Sequence, residues 1–323
     1  MTEAPDVSII IISYNRLELL QATILSLLQH VTATTTEIIL VDNASEEPIV
    51  DAIRHQFPQV RILRNDCNLG FGCANNIGAQ NARGKFLLFA NSDLILRGNP
   101  LPAMIGKLCN NAEVGIVGCQ LLNEDGTEQP SFFRFPNLWM RFLQLSGLKA
   151  RLLRLFPRLR SQRISGSKSG FVSGAFFMIE RDLFFEVGGF DEQFFMYVED
   201  ADLAYRVYRK GKGSFLLETS DIIHLGRNYE DEDSPFVYYH MNVGYLIFYA
   251  NNYRRWRFVI LVGMSLLVYA VRIAGSWWGA NQDMKRNLFQ KLFSTYLHTL
   301  TSGGYPSSAK QIDSDLTKVF VPR

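Results

Sequence analysis

The chain has 323 residues, of which 47% are hydrophobic and 13% aromatic, and a formal net charge of +2. That length and apolar content provide for one large or two medium folded domains and exclude a disordered or low-complexity protein. The near-neutral total conceals an asymmetry: Gln129 to Ile179 holds nine Lys or Arg residues and no Asp or Glu. Cys67, Cys73, Cys109 and Cys119 show neither metal-ligand spacing nor a dense disulfide framework, which fits a reducing cytosol. The first residues, Met-Thr-Glu-Ala-Pro-Asp, have no basic stretch followed by an apolar one, so no signal peptide is expected.

Val7–Ile12 is a first apolar run, after which Leu17, Leu20, Ile24, Leu27, Leu28 and Val31 recur at helical spacing. Glu37–Val41 runs into Asp42 and Asn43, and a short helix over Pro48–Gln56 follows with proline at its start. Val60–Arg64 reads as a third strand, followed by the Asn68-Leu69-Gly70-Phe71-Gly72 turn and a helix to Ala82. Lys85–Ala90 runs into Asn91-Ser92-Asp93, with a helix near Pro100–Asn110 and a strand over Val114–Leu122 beyond it. This alternation predicts a parallel sheet with right-handed crossovers, helices on both faces and strands buried on both sides. Ligands bind such a sheet beyond the carboxyl ends of its strands, where Asp42 and Asp93 fall. Strand ends also become loops, which favour Asp and Asn for their own reasons.

Further along, Phe132–Ser169 is basic, aromatic and leucine-rich without strand signals, and Phe171–Ile179 returns as an apolar strand. Glu199–Lys210 is a helix ending at Gly211; Ser214–Glu218 and Asp221–His224 read as short strands. Pro235–Tyr253 is an aromatic helix, and the tail from Phe258 is apolar and then helical. On the Glu199 helix, Asp200 shares a face with Leu203, Ala204, Val207 and Tyr208. Glu199, Asp202, Arg206 and Arg209 share the other face, expected to be solvated, where Asp202 and Arg206 can pair. The helix dipole accounts for an acid at Glu199 better than for one at Asp200, because an unpaired carboxylate on an apolar face is costly. His224, just after Ile222-Ile223, stays open between a structural and a ligating role.

Two segments bear on a surface. Leu138–Arg163 carries Arg141, Lys149, Arg151, Arg154, Arg158, Arg160 and Arg163 among Leu, Phe and Trp, a composition suited to an anionic membrane. No nucleic-acid recognition motif accompanies it, so no nucleic acid is expected as a partner. Phe258–Val271 is an apolar run of fourteen residues flanked by Arg254-Arg255-Trp256-Arg257 and by Arg272 and Trp277-Trp278. Being shorter than the ~20 residues a span needs, it reads as interfacial or buried, with a true span as the third option.

The chain resembles the inverting family-2 glycosyltransferases, especially the bacterial rhamnosyltransferase-like branch. The resemblance rests on Val7–Arg16, Val41-Asp42-Asn43-Ala44-Ser45, Asn68–Gly72 with Asn75, Asn76 and Gly78, and Asn91-Ser92-Asp93. It continues through Ser173-Gly174-Ala175, Gly188–Glu192 and Phe195–Leu203, covering roughly residues 5 to 228. It implies a GT-A fold: a Rossmann-like, mostly parallel sheet with helices on both faces, plus a mostly helical C-terminal extension. The implied layout is a transferase domain over 1–228, with a nucleotide-sugar half over 1–122, a basic amphipathic insertion over 129–170 and an acceptor half over 171–228. A helical region over 229–323, with possible membrane contact, completes it.

The resemblance also implies roles. Asp42 looks like the acceptor for the N3–H of a uracil or thymine ring. Ser13, Tyr14, Arg16, Asn43, Asn75 and Asn91 look like nucleotide-site residues. Asp93 and His224 look like ligands for Mg²⁺ or Mn²⁺, although Asn91 stands where the metal signature has its first Asp and so withdraws an anionic ligand. Asp200 resembles the catalytic base, with Glu199 as a second candidate. The expected donor is a dTDP- or UDP-linked sugar, with dTDP-rhamnose first. The expected acceptor is a glycan or a polyprenyl-diphosphate-linked sugar at the inner face of the plasma membrane. Other classes fit less well. A nicotinamide enzyme needs G-x-G-x-x-G after the first strand, where this chain has Ser13-Tyr14-Asn15-Arg16. A glycoside hydrolase leaves Asp42 and Asp93 without a role. A non-catalytic sugar binder would need no base.

Overall fold

A computed structural model describes residues 4–32, 34–146, 148, 169–226, 234–275 and 282–302. The strands are β1 (Val7–Ser13), β2 (Thr36–Asp42), β3 (Arg61–Arg64), β4 (Phe86–Asn91), β5 (Leu94–Leu96), β6 (Val114–Leu122), β7 (Phe132–Arg134), β8 (Gly170–Val172), β9 (Phe176–Glu180) and β10 (Gly213–His224). The helices are α1 (Leu17–His30), α2 (Ile49–Gln56), α3 (Phe71–Gln80), α4 (Leu101–Asn110), α5 (Leu138–Leu145), α6 (Arg181–Glu186), α7 (Glu199–Arg209), α8 (Pro235–Asn252), α9 (Arg255–Gly275) and α10 (Gln282–Ser302). The described residues form two units. One comprises 4–135, 169–192 and 199–226; the other comprises 136–148, 193–198 and 234–302.

The first unit is built on an eight-stranded sheet in the order β3-β2-β1-β4-β9-β6-β10-β5. β1 shows why the strands tolerate burial on both faces. Val7, Ile9 and Ile11 point into the core shared with α1, α2 and α4. Ile10 points the other way, into the core shared with α3, α6 and α7. The chain order reverses between β1 and β4, the point at which open α/β sheets bind ligands. The rim there is formed by the carboxyl ends of β1, β2 and β4, in register through Ser13↔Asp42 and Ile12↔Asn91.

The structure departs from the sequence expectations in several places. The sheet is mixed, because β9 runs antiparallel between β4 and β6 and β5 runs antiparallel to β10. Phe171–Ile179 is two strands, broken at Ser173-Gly174-Ala175, and its first part pairs with β7 inside the stretch expected to lack strands. The two short strands after Gly211 are one strand, β10, which absorbs a register shift between Leu217 and Ile222. β5 and α6, three and six residues long, carry too little pattern to be anticipated.

In the second unit, α5, α8, α9 and α10 pack around Leu145, Tyr239, Leu246, Val262, Tyr269, Leu288, Leu292 and Tyr296. Arg141 Nη2 and Tyr269 Oη both donate to Asn242 Oδ1, at 2.7 and 2.9 Å. The helix that contains the apolar run is longer than the run itself. Arg255–Gly275 is long and apolar enough to cross a membrane, and only 22% of its apolar window is buried. Lys149, Arg151, Arg154, Arg158, Arg160 and Arg163 of the basic stretch, and the Trp277-Trp278 flank, lie outside the described residues.

Candidate functional site

The loops after β1 and β2 are tied together by side chains. Asn15 Oδ1 accepts from the Glu46 amide at 2.9 Å, and the Asn15 amide donates to Ser45 Oγ at 2.8 Å. Glu47 accepts from the amides of Arg16 and Leu17 at 2.9 and 2.7 Å, filling the amino terminus of α1. In dinucleotide-binding folds that terminus receives a pyrophosphate; here it is occupied by a carboxylate. The tie also accounts for Asn15 and Arg16 at φ 62° and 61°, a left-handed pair that few non-glycine residues adopt. Ser13 is buried at the end of β1, its Oγ donating to Asn15 O, while Tyr14 and Arg16 are exposed on the loop.

Asp42 is buried at the end of β2. Its Oδ1 accepts from the Ser45 amide at 3.0 Å. Arg64 Nη1, on half-exposed Arg64 at the end of β3, stands 3.1 Å from Oδ2 without hydrogen-bond geometry, so that oxygen makes no hydrogen bond within the protein. Arg64 carried no motif and was not anticipated as part of the site. The Asn43 side chain is engaged within the protein. Its amide is spent on Asn68 Oδ1, Asn65 and the Leu69 amide, which pins the Asn65–Gly70 loop. Asn75 is buried within α3 and donates to Phe71 O.

At the end of β4, the Asn91 amide donates to Ala175 O at 2.9 Å, which brings the break between β8 and β9 to the rim. The next residue back, Gly174, donates its amide to Asp200 Oδ2 at 3.0 Å. A short bonded path therefore joins the Asn91–Asp93 loop to the start of α7. Asp200 is half-buried, and its Oδ1 takes the Ala201 amide at 2.8 Å. Tyr197 and Val198, immediately before α7, hold φ 70° and 74°. For a β-branched residue this is a genuine outlier, and such strain clusters at functional sites.

The acids on the expected solvated face of α7 are buried, while Arg209 on that face is exposed. Glu199 and Asp202 are both almost inaccessible; Asp202 is bonded to Arg206 at 2.8 Å, and Arg206 Nη1 donates to Val187 O. Burial first, and then the charges of Asp200 and Asp202, push the Glu199 carboxyl up to about 8. Its Oε2 has no hydrogen-bond partner. A carboxyl that binds its proton more tightly when folded stabilises the fold fully below its unfolded pKa of about 4.3 and loses that contribution as pH rises toward 8. Glu199→Gln, isosteric with the protonated acid, is therefore expected to match the parent Tm near pH 4 and to exceed it near pH 8. Thermal melts at the two pH values check this, and a constant difference between them would show that Glu199 is ionised in the fold.

His224 ends β10 at the same rim. Its Nε2 lies 3.2 Å from Asp93 Oδ1 and 3.3 Å from Asn91 Nδ2. Asp93 Oδ1 is buried and has no hydrogen-bond partner. The backbone of Gly226 closes over Asp93 Oδ2 so tightly that any side chain there would overlap the carboxylate. An orphaned carboxylate oxygen beside an imidazole nitrogen fits a hard divalent cation. Adjacent ligands on an octahedral ion of bond length about 2.0–2.1 Å stand about 2.9 Å apart. No cluster of three His, Cys, Asp or Glu side chains occurs among the described residues. The remaining ligands would come from substrate phosphate and water, the usual arrangement for Mg²⁺.

A protein-family model described as Glycosyl transferase family 2 matches residues 8–188. Over 212 residues the chain is 28% identical to the N-acetylglucosaminyl-diphospho-decaprenol L-rhamnosyltransferase of Mycobacterium tuberculosis, covering 60% of this chain and 67% of that protein. It is 29% identical over 233 residues to O-antigen biosynthesis protein RfbC of Myxococcus xanthus, covering 68% of this chain and 17% of that protein. Among solved structures, the mannosyltransferase PcManGT of Pyrobaculum calidifontis, in complex with GDP-Man and Mn²⁺, aligns with 99% of this chain and 82% of its own at TM-score 0.52 and 14% identity. That likeness is one of fold.

Proposed function

The chain belongs to glycosyl transferase family 2 and is a glycosyltransferase, and we propose that it moves rhamnose from dTDP-rhamnose onto a hydroxyl of a lipid-linked glycan in cell-surface polysaccharide synthesis. One observation carries the reading. Asp42 and the Asp93–His224 pair stand at the rim where the sheet order reverses, and Asp200 is tied to that rim through Gly174, Ala175 and Asn91. The L-rhamnosyltransferase and the O-antigen biosynthesis protein among its relatives support the sugar and the polysaccharide context.

In this reading Asp42 Oδ2, which lacks a hydrogen bond within the protein, accepts the N3–H of the thymine ring, with Arg64 beside it. Tyr14 and Arg16 flank the base and diphosphate from the exposed loop. Asp93 and His224 would hold Mg²⁺ or Mn²⁺, which when bound neutralises charge on the departing diphosphate. Asp200 takes the proton from the acceptor hydroxyl as its oxygen attacks the anomeric carbon. The bond from that carbon to the diphosphate oxygen breaks, its electron pair leaves with the nucleoside diphosphate, and the configuration inverts. Burial and the charge of Asp200 raise the Glu199 carboxyl, so holding its proton keeps a second negative charge away from Asp200, and Glu199 stays the second candidate for the base.

The test is release of nucleoside diphosphate from a panel of dTDP- and UDP-sugars with Mn²⁺, using polyprenyl-diphosphate N-acetylglucosamine as acceptor. Turnover with dTDP-rhamnose above the others is expected. Turnover with a UDP-sugar alone would overturn the donor assignment, and no release from any donor would overturn the transferase site.

The second unit supplies the surface in this proposal. Trp256, Val259, Ile260, Leu267 and Val271 are exposed along α9, and Arg254, Arg255 and Arg257 stand at its start. An apolar stripe with basic residues at its head suits the interface of an anionic bilayer. Ile260→Glu with Leu267→Glu should reduce cosedimentation with phosphatidylglycerol vesicles by about tenfold or more, since each buried side chain of this kind contributes ~1.5–3 kcal/mol. Unchanged binding would remove α9 from the membrane face.

A further inference from the structure

We propose that Gln129 is a positioning residue that holds His224 in the Nδ1–H tautomer and so turns the Nε2 lone pair toward the cation; this rests on the divalent-cation reading of Asp93 and His224. Gln129 lies in the connection between β6 and β7, 95 residues from His224 in sequence, and is only 2% exposed. Both ends of its amide bind the same residue. Nε2 donates to the His224 carbonyl oxygen at 2.8 Å, and Oε1 stands 3.0 Å from His224 Nδ1.

A carbonyl oxygen only accepts hydrogen bonds, so the orientation of the Gln129 amide is not free. The atom facing Nδ1 is the amide oxygen, which also only accepts, and Nδ1 must therefore carry a hydrogen. In a neutral ring this leaves Nε2 bare. Two neighbours agree with that assignment. The Asn91 amide nitrogen, a donor, faces Nε2 at 3.3 Å, and Asp93 Oδ1 at 3.2 Å makes no hydrogen bond to it. A bare imidazole nitrogen beside a bare carboxylate oxygen is an unfavourable pair that a cation would relieve.

Gln129 is itself held from behind. Its backbone amide donates to Leu121 O at 2.8 Å, and its carbonyl accepts from Gln120 Nε2 at 2.6 Å and Ser131 Oγ at 2.9 Å. These bonds root the side chain in the end of β6, which pairs with β10 beside His224 through Leu122↔Ile223. Metal-bound histidines commonly have their second ring nitrogen held in this way, and losing the partner costs about 10–100-fold in metal affinity.

The experiment uses the isotope-labelled full chain at neutral pH without metal. Long-range nitrogen–proton NMR correlations report the tautomer of each of the five histidines, and His224→Gln identifies the signal of interest. Mn²⁺ affinity in the presence of thymidine diphosphate is then read by electron paramagnetic resonance. The parent is expected to show the Nδ1–H form, and Gln129→Met to lose it together with about 10–100-fold in Mn²⁺ affinity. An Nε2–H form in the parent overturns the proposal without any variant, as does a ring protonated on both nitrogens and paired to Asp93 as an imidazolium. Retention of tautomer or of Mn²⁺ affinity in Gln129→Met also overturns it. Should the parent show the tautomer but bind no Mn²⁺, the cation reading fails while the role of Gln129 in setting the ring stands.

Discussion

Asp200→Asn is expected to lower kcat by about 10²–10⁴-fold, the contribution of a positioned general base. Donor affinity should change little, because a base acts on the acceptor hydroxyl in the transition state and not on the bound nucleotide. The substitution suits the local geometry. Asp200 accepts from Gly174 through Oδ2 and from Ala201 through Oδ1, and Asn keeps one of those two acceptors. Single-turnover rates, donor titration and a thermal melt together check the claim. A loss of Tm or of donor affinity in proportion to the loss of rate would make Asp200 a brace for the Gly174 turn and not the base.

Asp93→Ala is expected to reduce turnover by about 10³-fold or more, since a cation at the leaving group contributes several kcal/mol and each 1.36 kcal/mol is a factor of ten. Chelation of the parent should reproduce the loss, and the variant should be insensitive to chelator. The structural reason is that Asp93 supplies the sole carboxylate beside His224 Nε2 among the described residues, with Asn91 contributing only an amide. Asp93→Asn separates charge from shape: it preserves volume under Gly226 and should lose nearly as much activity as the alanine variant. Full turnover of the parent in excess chelator would sink the metal assignment.

Much of the first unit was readable from short-range pattern. Val7–Ser13, Thr36–Asp42 and Phe86–Asn91 are apolar on successive residues because both faces of a central strand meet helices, and that requirement leaves its mark in a few consecutive positions. The placement of Asp42 and Asp93 at the rim followed from the same pattern, since a residue just after such a strand has nowhere else to lie. The motif strings carried the family, and the match over 8–188 agrees with them.

The rest depends on partners distant in the chain, which local periodicity does not encode. β9 lies between β4 and β6 and runs against both, an arrangement determined by which strands can share hydrogen bonds and not by the composition of Phe176–Glu180. β7 and β8 are three residues each and exist only as a pair. Helical spacing placed Glu199 and Asp202 opposite the apolar face of α7, but both are buried in the fold, so their burial and the raised Glu199 pKa belong to the packing. Glu47 at the start of α1 and Gln129 behind His224 each bond a group thirty or ninety-five residues away, and Arg64 stands beside Asp42 from twenty-two residues away. Buried hydrogen bonds are strong enough to dictate such choices, and they form only once the sheet has brought the ends together. The local pattern thus determined the central strands, the rim and the family; the burial and the hydrogen-bond partners of the site's polar groups were decided by tertiary contacts.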